Sequence, residues 1–89
     1  MTPLPHLVLY SKTGCCLCEG LEAKLAQISD PAFTLERREI TGNAEWETAY
    51  EYEVPILFRR EADSRETRLG RPAPRLSTER VADWLRSHL

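Results

Sequence analysis

The chain has 89 residues, 42% hydrophobic and 29% charged, with a formal net charge of −2. That length fits one domain over residues 1–89, and the slightly negative balance argues against general attraction to nucleic acid. No run of about 18 apolar residues is present, which excludes a helix that crosses a bilayer.

The opening Met1-Thr2-Pro3-Leu4-Pro5-His6 has neither a basic segment nor a long apolar one, so no secretory leader is expected and the protein is read as cytoplasmic. Cys15, Cys16 and Cys18 fall within four residues. So tight a cluster cannot staple a fold. Where thiols are kept reduced, it points to catalysis or metal binding instead.

Residues 7–10 are apolar without alternation, which predicts a central strand covered on both faces. Residues 11–14 form a turn. Leu17, Leu21, Leu25 and Ile28 then recur on one helical stripe, and Asp30-Pro31 ends that helix. Gly20 weakens the helix, and close packing is the expected reason.

Residues 33–40 read as a second strand at a sheet edge, with Arg37 and Arg38 turned to water. Asn43 is a candidate N-cap for a short helix carrying Trp46, Ala49 and Tyr50. Residues 54–58 read as a third strand entered through a proline, and residues 67–70 as a short return strand. Ser77 caps a terminal helix with Val81, Trp84 and Leu85 on one face.

The order is βαβ followed by αββα. The first unit allows a right-handed parallel crossover, and the short connection between the last two strands makes them antiparallel. The expected fold is α/β, a four-stranded mixed sheet with helices on both faces. Residues 59–76 carry six arginines against three acids. This basic stretch is read either as a solvated hairpin or as a surface for an anionic thiol substrate or acidic partner.

Cys15-x-x-Cys18 falls at the junction of the first strand and first helix. Cys15 at the helix N-terminus faces unpaired N–H groups and the positive end of the macrodipole, which favour thiolate over thiol. Cys18 returns to nearly the same face one turn deeper. Cys15 is thus the candidate nucleophile, forming a mixed disulfide with substrate, and Cys18 the candidate resolving thiol. Two buried cysteines that merely pack are the plainer alternative. Cys16 points about 100° away from Cys15 and is read as an exposed bystander or a regulatory thiol. Lys12, three residues before Cys15, could support its thiolate or meet a substrate carboxylate; an ordinary surface lysine is the alternative.

Tyr10-Ser11-Lys12-Thr13-Gly14-Cys15-x-x-Cys18 resembles the active-site segment of glutaredoxins, and Val54-Pro55 resembles the Val-Pro step before their third strand. Gly14-Cys15-Cys16-Leu17-Cys18, Asn43-x-x-Trp46 and Tyr52-Glu53-Val54-Pro55-Ile56-Leu57 together resemble small bacterial glutaredoxin-like proteins of unknown function. The resemblance implies a thioredoxin-like fold, a cis Pro55 and a Val54 backbone free to pair with an extended thiol substrate.

The resemblance also implies a thiol–disulfide oxidoreductase with no bound cofactor and glutathione as a candidate reductant. Substrate contacts are expected at Lys12, Val54, Pro55 and Arg71, and no metal ligands. Two departures count against a glutathione subsite. Leu69-Gly70-Arg71-Pro72-Ala73-Pro74 stands where a Gly-Gly-acid kink is usual, and Cys16-Leu17 replaces a Pro-aromatic pair.

The expected partner is a disulfide-containing protein or a small-molecule thiol, met by a monomer away from nucleic acid and membranes. Two other readings stay open. One is a binding module with little turnover. The other is a metal or iron–sulfur carrier, which would need ligands beyond these three thiols.

Overall fold

The computed structural model describes residues 4–89; the N-terminal reading made for residues 1–3 lies outside them. The elements are β1 (His6–Ser11), α1 (Cys16–Gln27), β2 (Thr34–Glu39), α2 (Ala44–Tyr50), β3 (Ile56–Arg60), β4 (Glu66–Gly70) and α3 (Thr78–His88). The strands form one sheet in the order β2-β1-β3-β4. β1 and β2 are parallel, joined through α1, whereas β1–β3 and β3–β4 are antiparallel. This is the mixed α/β arrangement of a thioredoxin-like fold.

The alternation of β1 divides the core into two layers. Leu7 and Leu9 point to one face, where they meet Leu57 and the apolar stripes of α1 (Leu21, Leu25) and α3 (Val81, Leu85). Val8 and Tyr10 point to the other, against Ile56, Phe58, Ile40, Val54 and Cys18, with Trp46 and Tyr50 of α2 packed on them. Tyr10 stacks at 4.3 Å on Tyr50 and meets Trp46 edge-on at 5.4 Å. The expected caps are in place. Asn43 accepts from the Trp46 N–H at 3.0 Å, and Ser77 from the Arg80 N–H at 3.2 Å.

Four expectations require correction. Arg37 and Arg38 do not share one exposed face. Arg37 pairs with Glu22 of α1 and with Glu39, while the Arg38 side chain is only 13% exposed on the opposite face. The Arg38 guanidinium packs beside α2 on that face, lying 5.4 Å from the Tyr10 ring and 5.7 Å from that of Trp46, and donating to the Tyr10 hydroxyl and Glu66.

The third strand begins at Ile56 rather than residue 54. Pro55 has no N–H for the ladder, and the Val54 N–H is already given to Tyr50 O at 3.0 Å. Leu17 leaves the apolar stripe of α1 and is 48% exposed, while Cys18 is fully buried. Gly20 is not explained by close packing, because nothing lies within 4 Å of where its Cβ would be.

Three of the six arginines in the basic stretch are ion-paired within the chain. Arg60 pairs with Glu36 and Glu66, Arg65 with Asp63, and Arg68 with Glu53. No helix among the described residues is long and apolar enough to cross a membrane.

Candidate functional site

β1 ends at the buried Ser11, and the chain turns through Gly14, whose φ of +83° is a conformation that L side chains rarely adopt. The Cys15 N–H donates to Lys12 O at 3.2 Å, closing that turn. Cys15 then serves as N-cap of α1, its Sγ accepting from the Cys18 N–H at 3.2 Å. The N-cap position is where the first-turn amides lack intrahelical partners and where negative charge is favoured. Both thiols are free.

Cys15 is half-buried and open to approach, whereas Cys18 lies under it against the second core layer. Burial pushes the Cys18 thiol up to about 11, with the contact to Cys15 acting the same way; hydrogen bonds from the Lys12 backbone and the Ser11 hydroxyl oppose this. The turn thus holds one accessible sulfur beside one sheltered, protonated sulfur. That arrangement allows the first to be attacked or to attack, and the second to follow.

The turn is anchored from β2. The Glu39 carboxylate accepts from the Thr13 N–H at 3.0 Å, the Thr13 hydroxyl at 2.6 Å and the Thr41 N–H at 3.2 Å, and it receives Arg37 Nη2 at 3.0 Å. These bonds hold its carboxyl down at about 2, Thr13 contributing most.

A cleft of about 120 Å³ opens along the first turns of α1, lined by Cys16, Leu17, Gly20, Pro55, Arg71 and Pro74 among others. Gly70, at φ +107°, turns the chain out of β4 so that residues 71–74 form the far wall. Lys24 Nζ ties that wall to α1 through Pro74 O at 2.8 Å.

The residues expected at the site sort unevenly. Cys15 and Cys18 come together in the first turn of α1, and the Val54–Pro55 bond is cis. Pro55 and Arg71 both line the cleft. Lys12 is exposed in the turn and supplies its carbonyl to the Cys15 N–H. Val54 departs from expectation. Its N–H is spent on Tyr50 and its carbonyl is approached by Arg71 Nη1 at 3.4 Å, so its backbone is not free on both sides.

Ser11, Glu22 and Glu39 had no sequence assignment. Ser11 could have been flagged as a polar residue closing an apolar run, but the two acids are indistinguishable in sequence from surface charge. Among the described residues, no group of three or more His, Cys, Asp or Glu side chains converges as metal ligands.

A thioredoxin-like sheet carrying a Cys-x-x-Cys turn at the start of its first helix defines a class of proteins. A family model described as "Glutaredoxin-like domain (DUF836)" matches residues 6–86. The chain belongs to this glutaredoxin-like family.

Among solved structures, the X-ray structure of target protein XcR50 from X. campestris is 31% identical. The match covers 91% of this chain and 96% of that one, with a TM-score of 0.62. The solution structure of Ne2328 from Nitrosomonas europaea is 33% identical over 74% of this chain and 78% of that one, with a TM-score of 0.60. A malarial protein of 12% identity shares the fold, with a TM-score of 0.65 over 98% of this chain and 99% of that one. No curated protein matches.

Proposed function

We propose that this chain is a dithiol–disulfide oxidoreductase. One observation carries the reading: Cys15 Sγ caps α1 and receives the Cys18 N–H at 3.2 Å, with the Cys18 thiol buried behind it. In the first step the Cys15 sulfur attacks a substrate disulfide. One S–S bond forms, the substrate S–S bond breaks, and the departing sulfur leaves as a thiolate that takes a proton from water. In the second, Cys18 gives up its proton and attacks Cys15 Sγ. The second substrate thiol is released and the Cys15–Cys18 disulfide remains. An external thiol reductant, glutathione or a thioredoxin-reductase system, then restores the dithiol.

The substrate is a disulfide-bearing protein or small molecule, met by a monomer in the cytoplasm and not on nucleic acid or a membrane. No bound cofactor or metal is required. Lys12, the Val54 carbonyl, Pro55 and Arg71 are assigned to substrate contact. An extended substrate that pairs with Val54 can use only the carbonyl, in exchange with Arg71. A reduction potential of about −200 to −230 mV identifies glutathione as donor, and one of about −270 mV a thioredoxin-like couple.

The test uses two variants. Cys15→Ser is expected to abolish disulfide reduction, and Cys18→Ser to keep the first step and accumulate a mixed disulfide whose partner mass spectrometry identifies. A Cys15→Ser protein with undiminished activity would overturn the reading.

A further inference from the structure

Gly20 lines the cleft from the interior of α1, where glycine is a poor helix former. Nothing lies within 4 Å of the position its Cβ would take, so close packing does not call for a glycine there. A side chain at that position would take up space in the cleft, and its absence lets another chain approach the helix closely. Leu17, Leu21 and Pro55 give the cleft apolar walls, and residues 72–74 close the far side. Its volume of about 120 Å³ is well below the roughly 300–1,000 Å³ of a small-molecule pocket and is on the scale of one aliphatic side chain.

The charge of the cleft has one sign. Lys24 and Arg71 line it, and no Asp or Glu does. Among the described residues neither cation forms an ion pair, whereas Arg60, Arg65 and Arg68 of the same basic stretch do. Lys24 Nζ is held by Pro74 O at 2.8 Å, while Arg71 Nη1 only approaches Val54 O at 3.4 Å. A guanidinium binds a carboxylate more strongly than a single neutral carbonyl. A carboxylate at the cleft therefore draws Arg71 away from Val54 O and frees that carbonyl for an extended strand.

We propose that this cleft is a specificity pocket whose occupant is a polypeptide disulfide substrate, with an aliphatic side chain and a carboxylate near its reacting cysteine. The inference rests on the oxidoreductase reading. The aliphatic side chain enters over Gly20 against Leu17 and Leu21, and the carboxylate meets Arg71. Cys16, which lines the cleft, is bonded to Cys15, so a chain seated there lies within a few residues' reach of the attacking sulfur. Glutathione offers carboxylates but no aliphatic side chain, so it fills the pocket poorly.

The experiment uses short peptides with one cysteine joined as a disulfide to a coloured aryl thiol. They carry Leu with Glu, Ser with Glu, or Leu with Lys, placed in turn on either side of the cysteine; glutathione joined to the same aryl thiol is the comparison. The Cys15 sulfur bonds to the peptide sulfur and gives up its proton to water. The peptide–aryl S–S bond breaks, and its electron pair leaves with the coloured thiolate. A Cys16→Ser background keeps the exposed third thiol from reacting. The best peptide with Leu and Glu is expected to react at least about tenfold faster than its Ser counterpart, and faster than the glutathione disulfide. It should exceed its Lys counterpart by about threefold or more. Each preference is a ratio within one protein, so a change in thiol reactivity cancels. Gly20→Leu, which fills the cleft, should erase the preference for Leu, and Arg71→Gln the preference for Glu alone.

Equal rates for all peptides, or both preferences intact in both variants, would overturn the pocket. A glutathione disulfide faster than every peptide would make the occupant a small thiol and overturn it too. So would a dimer in sedimentation velocity that Gly20→Leu dissolves, since a second copy would then fill the cleft. If the protein releases no colour from any disulfide, the oxidoreductase reading fails and the pocket falls with it. If Gly20→Leu loses its cooperative thermal transition, Arg71→Gln decides, because that side chain is exposed.

Discussion

Glu39 shows how one carboxylate can set the geometry of a neighbouring loop. The β1–α1 turn must leave its amides pointing somewhere, and two of the groups that would otherwise face water, Thr13 N–H and Oγ1, converge on Glu39. The folded state holds this carboxyl at about 2 against an ordinary 4.5, chiefly through Thr13. A depressed carboxyl contributes stability that is fully present above pH 4.5 and is lost as pH falls through about 2. The Thr13 and Thr41 amide resonances are therefore expected to titrate together in NMR with a midpoint near 2; a midpoint near 4.5 would contradict the contact. Glu39→Gln should cost on the order of 1–2 kcal/mol in denaturant unfolding at pH 7, the scale of lost hydrogen bonds to a charged group.

Among elements, α1 carries most of the site, and on it Leu17 and Gly20 are not explained by core packing. Leu21 and Leu25 are buried against β1 and α3, but Leu17 projects half-exposed into the cleft. Gly20 lines the same cleft with open space at its Cβ position. A glycine in a helix interior costs up to about 1 kcal/mol relative to alanine. Gly20→Ala is thus expected to stabilise the protein by about 0.5–1 kcal/mol in urea unfolding. Destabilisation would mean that the helix there is tighter than the structure describes. The sheet edges follow the usual defence against further pairing: β2 carries Glu36, Arg37, Arg38 and Glu39, and β4 carries Glu66 and Arg68.

At the scale of the whole molecule, stability and reactivity meet at Cys18. The folded protein keeps that thiol protonated to about 11, whereas the unfolded chain releases the proton near 9.0. Folding therefore holds the extra proton between those values. Stability is full below pH 9 and declines as pH rises towards 11. Chemical denaturation of the reduced protein at pH 8 and pH 10.5 should show a loss that Cys18→Ala lacks; equal losses in both would contradict the burial argument.

The order of strands and helices was legible in the sequence because it depends on local periodicity: an unbroken apolar run for β1, a four-residue stripe for α1, and side-chain caps at Asn43 and Ser77. The closeness of Cys15 and Cys18 was legible for the same reason, since spacing along one helix sets it. The Arg38–Glu66, Arg37–Glu22 and Arg68–Glu53 pairs and the Ser11–Glu22 contact were not. Each joins residues 11 to 28 positions apart in sequence. Local pattern shows that such a residue is charged or polar, and only the packing of the sheet against short helices decides which charge it meets and whether water reaches it.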